Sequence, residues 1–97
     1  MRNRYLVTYD IANEKRLRLV FKKMKGFGDH LQYSVFTCDL SDKERVLMVG
    51  ELKDIINHRE DRICIADIGP VSGRGSESMM FIGKPLEVVG NTEAVVV

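Results

Sequence analysis

Asp10 closes an apolar run and immediately precedes a helix-forming stretch, which makes it the side chain of this sequence best placed to do chemistry. A carboxylate is a hard oxygen ligand, suited to magnesium or manganese, ions commonly held by one or two carboxylates together with waters and substrate phosphates. One aspartate per chain makes a poor site. In a twofold dimer the two copies of Asp10 become a pair able to hold one ion, which could activate water and neutralise charge developing on a phosphodiester. The alternative is an idle acid favoured by the dipole of the following helix. That helix carries Lys15, Arg16, Arg18, Lys22, Lys23 and Lys25 against the single acid Glu14, a surface able to hold a phosphate backbone or simply to be solvated. Arg74, between Gly73 and Gly75, could also approach phosphate, or belong to an ordinary loop.

Other candidates are weaker. His30 and His58 have no metal-ligand spacing and read as structural or solvent-exposed. Tyr5, Tyr9, Tyr33 and Phe36 could stack on bases, although aromatics on short strands more often fill a core. Asp39 and Asp67 read as strand-end acids before they read as further metal ligands. Cys38 and Cys64 match neither a zinc motif nor a disulfide framework and are expected to be reduced structural thiols.

The elements that must position these groups follow from residue type and period. Residues 4–11 are rich in β-branched and aromatic types and predict a strand. Asn13 is a helix cap, Leu17, Val20, Phe21 and Met24 recur on one helical face, and Gly26 supplies a stop. Residues 30–40 again read as strand, or as two strands joined by a tight bend for which no turn signal is present. Ser41 to Glu44 form a capping box that starts a second helix near Asp42, with Met48, Val49, Leu52, Ile55 and Ile56 as its apolar stripe. A polar break at 57–61 leads to a strand over 62–68, ended by Gly69 and Pro70. A flexible loop is expected from Val71 to Ser78, then short strands at Met79–Ile82 and Leu86–Val89, and the tail closes on Ala94, Val95, Val96 and Val97.

This order predicts one α+β domain over residues 1–97, a ferredoxin-like βαββαβ sandwich with an extra C-terminal strand. Both helices lie on one sheet face. Tyr5, Leu6, Val7, Val35, Phe36 and Ile65 then offer more apolar surface than two helices obviously hide, so a homodimer packed sheet on sheet is expected. A chain of 97 residues with 44% hydrophobic content and no long apolar run suits a small globular protein located in the cytoplasm, with no membrane partner. The formal net charge of +1 hides an asymmetry: residues 1–40 hold eight basic against four acidic residues, residues 41–97 seven against ten. A basic first half weakly favours an anionic partner.

Tyr9, Asp10 and Ile11, then Asn13, Lys15 and Arg16, then Gln32, Tyr33, Ser34, Val35 and Phe36 closely resemble the CRISPR-associated protein 2 family. The resemblance spans roughly residues 4–70. Gly69 and Pro70, Gly73 to Gly75, and Gly83 to Pro85 also look like the ending found in one branch of that family. It implies a ferredoxin-like homodimer whose strand-end aspartates face one another, with Asp10 as catalytic and metal-binding residue and Arg16 in the basic start of the first helix. The implied activity is magnesium-dependent endonuclease action on RNA or duplex DNA. The implied setting is spacer acquisition with the CRISPR integrase, CRISPR-associated protein 1, whose dimers the homodimer bridges. The resemblance further suggests that residues from about 79 onward pack on the partner subunit. Two other readings stay open: a non-catalytic scaffold that binds duplex DNA and the integrase, and a ribonuclease toxin resembling virulence-associated protein D, which shares the fold.

Overall fold

Alternation of residue type along the first strand decides which side of the sheet becomes the core. In the computed structural model, which describes residues 1–84, Tyr5, Val7 and Tyr9 of β1 (Asn3–Asp10) are buried while Arg4, Leu6 and Thr8 point the other way. The remaining elements are α1 (Glu14–Lys25), β2 (Asp29–Gln32), β3 (Val35–Leu40), α2 (Asp42–Ile55), β4 (Arg62–Pro70) and a short α3 (Arg74–Glu77). The four strands form one sheet in the order β2-β3-β1-β4, antiparallel throughout. This is the ferredoxin-like arrangement expected from the order of elements.

Both long helices begin where their side chains predict. The Asn13 side chain accepts from the Arg16 amide at 2.9 Å. Ser41 Oγ accepts from the Glu44 amide at 3.2 Å while Glu44 accepts from the Ser41 amide at 2.8 Å, completing the capping box. Val20, Phe21 and Met24 of α1 and Met48 and Leu52 of α2 meet Tyr5, Val7, Tyr9, Phe36, Cys38 and Leu40 in one core. Phe36 lies at its centre, with Phe21, Tyr9 and His30 arranged around its ring. Each fully buried side chain of this size contributes roughly 1.5–3 kcal/mol relative to exposure.

Of the two readings of the 30–40 segment, the structure takes the two-strand one, and the bend is made by Tyr33 and Ser34, with Ser34 at φ 50°, a left-handed conformation that serine seldom signals. Other expectations change. The 71–78 segment is a turn followed by the single helical turn α3, not a free loop. It is held there because Gly75 sits against the backbone of Gly69 and Pro70, where a Cβ would fall 2.5 Å from the Gly69 carbonyl oxygen. Met79–Ile82 forms no strand and leaves Met80, Phe81 and Ile82 exposed, since no sheet edge among the described residues receives it. The expected strand at Leu86–Val89 and the Val95–Val97 tail lie outside the described residues.

The surplus of apolar surface expected on the uncovered sheet face is also smaller than the composition suggests. Period-two alternation sends Tyr5, Val7, Phe36 and Ile65 to the helix side, leaving Leu6, Val35, Ala66 and Cys64 among Thr8 and Thr37 on the open face. Near Arg4, α3 approaches this face, with an Arg4 terminal nitrogen 3.4 Å from the Gly75 carbonyl oxygen. Among the described residues no helix is long and apolar enough to cross a membrane.

Candidate active site

Asp10 ends β1 on the open side of the sheet and is exposed to solvent. Its register partner across the β1–β4 ladder is Arg62, also exposed. On the other side of β1, the Tyr9 amide donates to the Ser34 carbonyl oxygen at 3.1 Å, so the Tyr33–Ser34 bend is fastened beside the end of the strand, with Tyr33 projecting into solvent. Tyr9 itself turns inward. Burial pushes its hydroxyl up to about 12, with Ser34 opposing the shift, which leaves it protonated at neutral pH and part of the core.

The three candidate acids have separate fates. Asp39 lies on the same face as Asp10 but at the other end of β1, opposite Arg4. Six residues of strand, at about 3.3 Å each, put it roughly 20 Å away. Its oxygens accept from Arg4 at 2.7 and 2.9 Å, and this guanidinium holds the carboxyl below the usual range. Asp67 accepts from the Asn3 side chain at 3.0 and 3.1 Å and from the Gly69 amide at 2.9 Å, opposite the inward-facing Tyr5. Neither can join Asp10 around one ion. Asp10, by contrast, has no side-chain hydrogen bond or ion pair among the described residues. Nor do three or more His, Cys, Asp or Glu side chains converge among them on a metal-sized site. The donor chemistry therefore fits one hard cation that takes a single carboxylate per chain, the rest of its shell coming from a second copy, water or phosphate oxygens.

The basic first helix is divided by its own periodicity. Lys15, Arg18, Lys22 and Lys25 share one solvent-facing stripe, at i, i+3, i+7 and i+10. Arg18 lies 3.5 Å from Glu14, and the Lys25 ammonium sits 5.7 Å from the centre of the Phe21 ring. Lys23 points toward α2 and pairs with Glu51 at 2.9 Å. Arg16 is not free for phosphate either: its Nε lies 2.8 Å from Asp61 and a terminal nitrogen 3.0 Å from Glu60. Arg74 is exposed on α3, well separated along the sheet from Asp10, since Gly69 beside it pairs with Arg4.

Both histidines are structural or exposed. His30 lies between Phe21 and Phe36, where burial lowers its pKa, and His58 Nε2 is 3.0 Å from the Lys53 carbonyl oxygen. Cys38 is buried, its thiol pushed up to about 12 by desolvation, whereas Cys64 is an exposed thiol on the open face.

Asp61 and Arg62 are not legible as site residues in the sequence, where they lie in or next to a stretch that reads only as a polar break. A partial signal was present: Asn57 builds a turn, its side chain accepting from the Arg59 and Glu60 amides at 2.9 and 3.2 Å. The meeting of that turn with α1 has no local signature.

A family model described as CRISPR associated protein Cas2 matches residues 2–72. The chain is 46% identical over 70 residues to a CRISPR-associated endoribonuclease Cas2 of Geobacter sulfurreducens, covering 72% of this chain and 74% of that one. It is 49% identical over 65 residues to a protein of the same description from Thermodesulfovibrio yellowstonii, covering 67% and 71%. Among solved structures, Streptococcus pyogenes Cas2 superposes with a TM-score of 0.69 at 30% identity, over 82% of this chain and 99% of that one. A hypothetical protein of Thermus thermophilus shares the fold with a TM-score of 0.68 at 21% identity, over 94% of each chain.

Proposed function

Since this chain belongs to the Cas2 family, we propose that it is a magnesium- or manganese-dependent endonuclease of CRISPR spacer acquisition. In this reading it cleaves RNA phosphodiesters as a homodimer, with Asp10 as the metal-binding and catalytic carboxylate. RNA is favoured over duplex DNA because the relatives are described as endoribonucleases. The observation that carries the proposal is the isolation of Asp10: an exposed strand-end carboxylate, uncommitted among the described residues, while Asp39, Asp61 and Asp67 are all tied down.

Asp10 would supply a carboxylate oxygen from each protomer, and a bound divalent ion would activate water and neutralise charge on the scissile phosphate. Arg62, one ladder position across, offers a guanidinium for the phosphate oxygens flanking the cut. Exposed Tyr33 offers a ring face to a neighbouring base. Cleavage of a single-stranded RNA by the purified protein with magnesium, compared with Asp10→Asn, tests the assignment. Activity that requires the metal and disappears in Asp10→Asn is expected, with fold and dimer intact because the change removes charge but little volume. Full cleavage by the variant would defeat the catalytic assignment.

A second reading is a scaffold that binds duplex DNA and bridges dimers of the CRISPR integrase. It is favoured by the Lys15–Arg18–Lys22–Lys25 stripe, which belongs to the helical layer and not to the face bearing Asp10, so duplex binding needs no carboxylate. Intact spacer acquisition in cells carrying Asp10→Asn, together with lost cleavage in vitro, would make the scaffold role the biological one.

A further inference from the structure

We infer that Asp61 and Arg16 are positioning residues for Asp10, a latch that fixes the β1–α1 connection and the start of β4 on either side of that carboxylate. The inference rests on the catalytic reading of Asp10 proposed above. Asp61 has a side chain 0% exposed, although it stands in a polar surface turn. Its two oxygens take four hydrogen bonds: from the Ala12 amide at 2.9 Å, the Asn57 amide at 2.8 Å, Arg16 Nε at 2.8 Å and an Arg16 terminal nitrogen at 3.3 Å. Three separate parts of the chain meet on one carboxylate: the connection just after Asp10, the first turn of α1 and the turn after α2.

The geometry matters because Asp10 has no side-chain partner of its own among the described residues. The direction in which its carboxylate leaves the sheet is set by the backbone on both sides. Toward β1 the ladder with β3 and β4 fixes it. Toward α1 the fixing falls to Ala12, two residues on, whose amide is held by Asp61. The residue after Asp61 is Arg62, the register partner of Asp10, so the same buried carboxylate anchors the two exposed charges that the proposed chemistry would use. A buried ion pair is a weak device for stability, because its Coulombic gain is offset by desolvation. It is a good device for geometry, since a guanidinium fork and two amides leave the carboxylate one orientation. Misplacement of a reacting group by about 1 Å costs on the order of a hundredfold in rate.

The test uses the full-length protein with magnesium and an RNA oligonucleotide, comparing wild type with Asp61→Asn, Arg16→Gln, Arg16→Lys and Asp10→Asn. Asp61→Asn and Arg16→Gln are expected to lower kcat by about ten- to a hundredfold with KM within about twofold. Arg16→Lys should recover part of the loss, because an ammonium can restore one of the two bonds to Asp61. Hydrogen exchange at the Ala12 amide should quicken in Asp61→Asn and Arg16→Gln, and Mn2+, followed by paramagnetic broadening at Asp10, should bind less tightly. Unchanged kcat in both variants while Asp10→Asn is inactive would overturn the latch and leave the catalytic reading standing. Should Asp10→Asn cleave as well as wild type, the catalytic reading fails. The latch is then decided by the other two readouts: unchanged Ala12 exchange and Mn2+ broadening in Asp61→Asn overturn it, and changes in both sustain it. Should Asp61→Asn fail to fold, the two Arg16 variants carry the same comparison.

Discussion

Arg4 and Asp39 face each other across the β1–β3 ladder as a fork, Arg4 Nε 2.7 Å from one carboxylate oxygen and a terminal nitrogen 2.9 Å from the other. The pair closes the end of the open sheet face away from Asp10 and lies beside α3 through the Gly75 carbonyl.

Arg4 lowers the Asp39 pKa, so the contribution of the pair is complete above the unfolded carboxylate value, about 3.9, and is lost as pH falls through the lower folded value. Both side chains are partly exposed, which limits the pair to about 1 kcal/mol or less. Arg4→Met should therefore be destabilised by up to about that amount at pH 7 and by less at pH 3. Urea denaturation at the two pH values measures it, and a gap that does not narrow in acid would assign the effect to packing. Asp61 has its pKa lowered by Arg16 with help from the Ala12 and Asn57 amides, so its contribution has the same sign and should also fade only in acid.

Gly28 has no room for a side chain: a Cβ there would lie 2.3 Å from the Thr37 carbonyl oxygen and 2.6 Å from Cys38 Sγ. Gly28→Ala should cost about 1–3 kcal/mol, the range for overpacking, by pushing β2 from β3. Thermal unfolding checks this, and a change below about 0.5 kcal/mol would mean that the strand entry relocates freely.

The lysines of α1 should differ in nucleic-acid binding. Replacing Lys15, Lys22 and Lys25 with Gln should weaken duplex binding regardless of sequence and flatten its salt dependence by about 0.9 log units per lost phosphate contact. Lys23→Gln should change the slope less, because Lys23 already pairs with Glu51. Equal slopes for all variants and wild type would return the stripe to a solvated face.

A homodimer is expected in solution, and two features of the chain would support it. One is the open face, with Leu6, Val35 and Ala66. The other is the segment Met80 to Ile82, whose side chains are 83%, 50% and 89% exposed and which pairs with no strand among the described residues. Sedimentation should give a dimer at micromolar concentration. Leu6→Lys, and separately Met80→Ser with Ile82→Ser, should shift it toward monomer. A stable monomeric wild type would remove the shared site at Asp10.

Local physics made much of this protein legible in its sequence. Asn13 and the Ser41–Glu44 box start helices through bonds to amides three residues away, and a strand run ending at Asp10 needs only residue type and period. The order of those elements, with short connections, sufficed for the antiparallel sandwich. The β2–β3 bend is one of two readings that the sequence leaves open, because Ser34 adopts a left-handed φ that its chemistry does not announce. The 71–78 segment became a turn and a helical turn because Gly75 can press on Gly69 and Pro70, a contact invisible to composition.

Asp10 was singled out by its place at a strand end, and the resemblance around Tyr9, Asp10 and Ile11 named the family. What the sequence alone determined was thus the set of elements, the order in which they pack, and the one acid at the end of the first strand. Only the tertiary structure decided which charges are free. Arg16 and Lys23 read like the other cations of α1, yet folding brings acids from residues 51, 60 and 61 to them, while Lys15 and Lys22 keep their solvent. A charge's partner is set by distance in space, and sequence periodicity reports only which face of its own element it occupies.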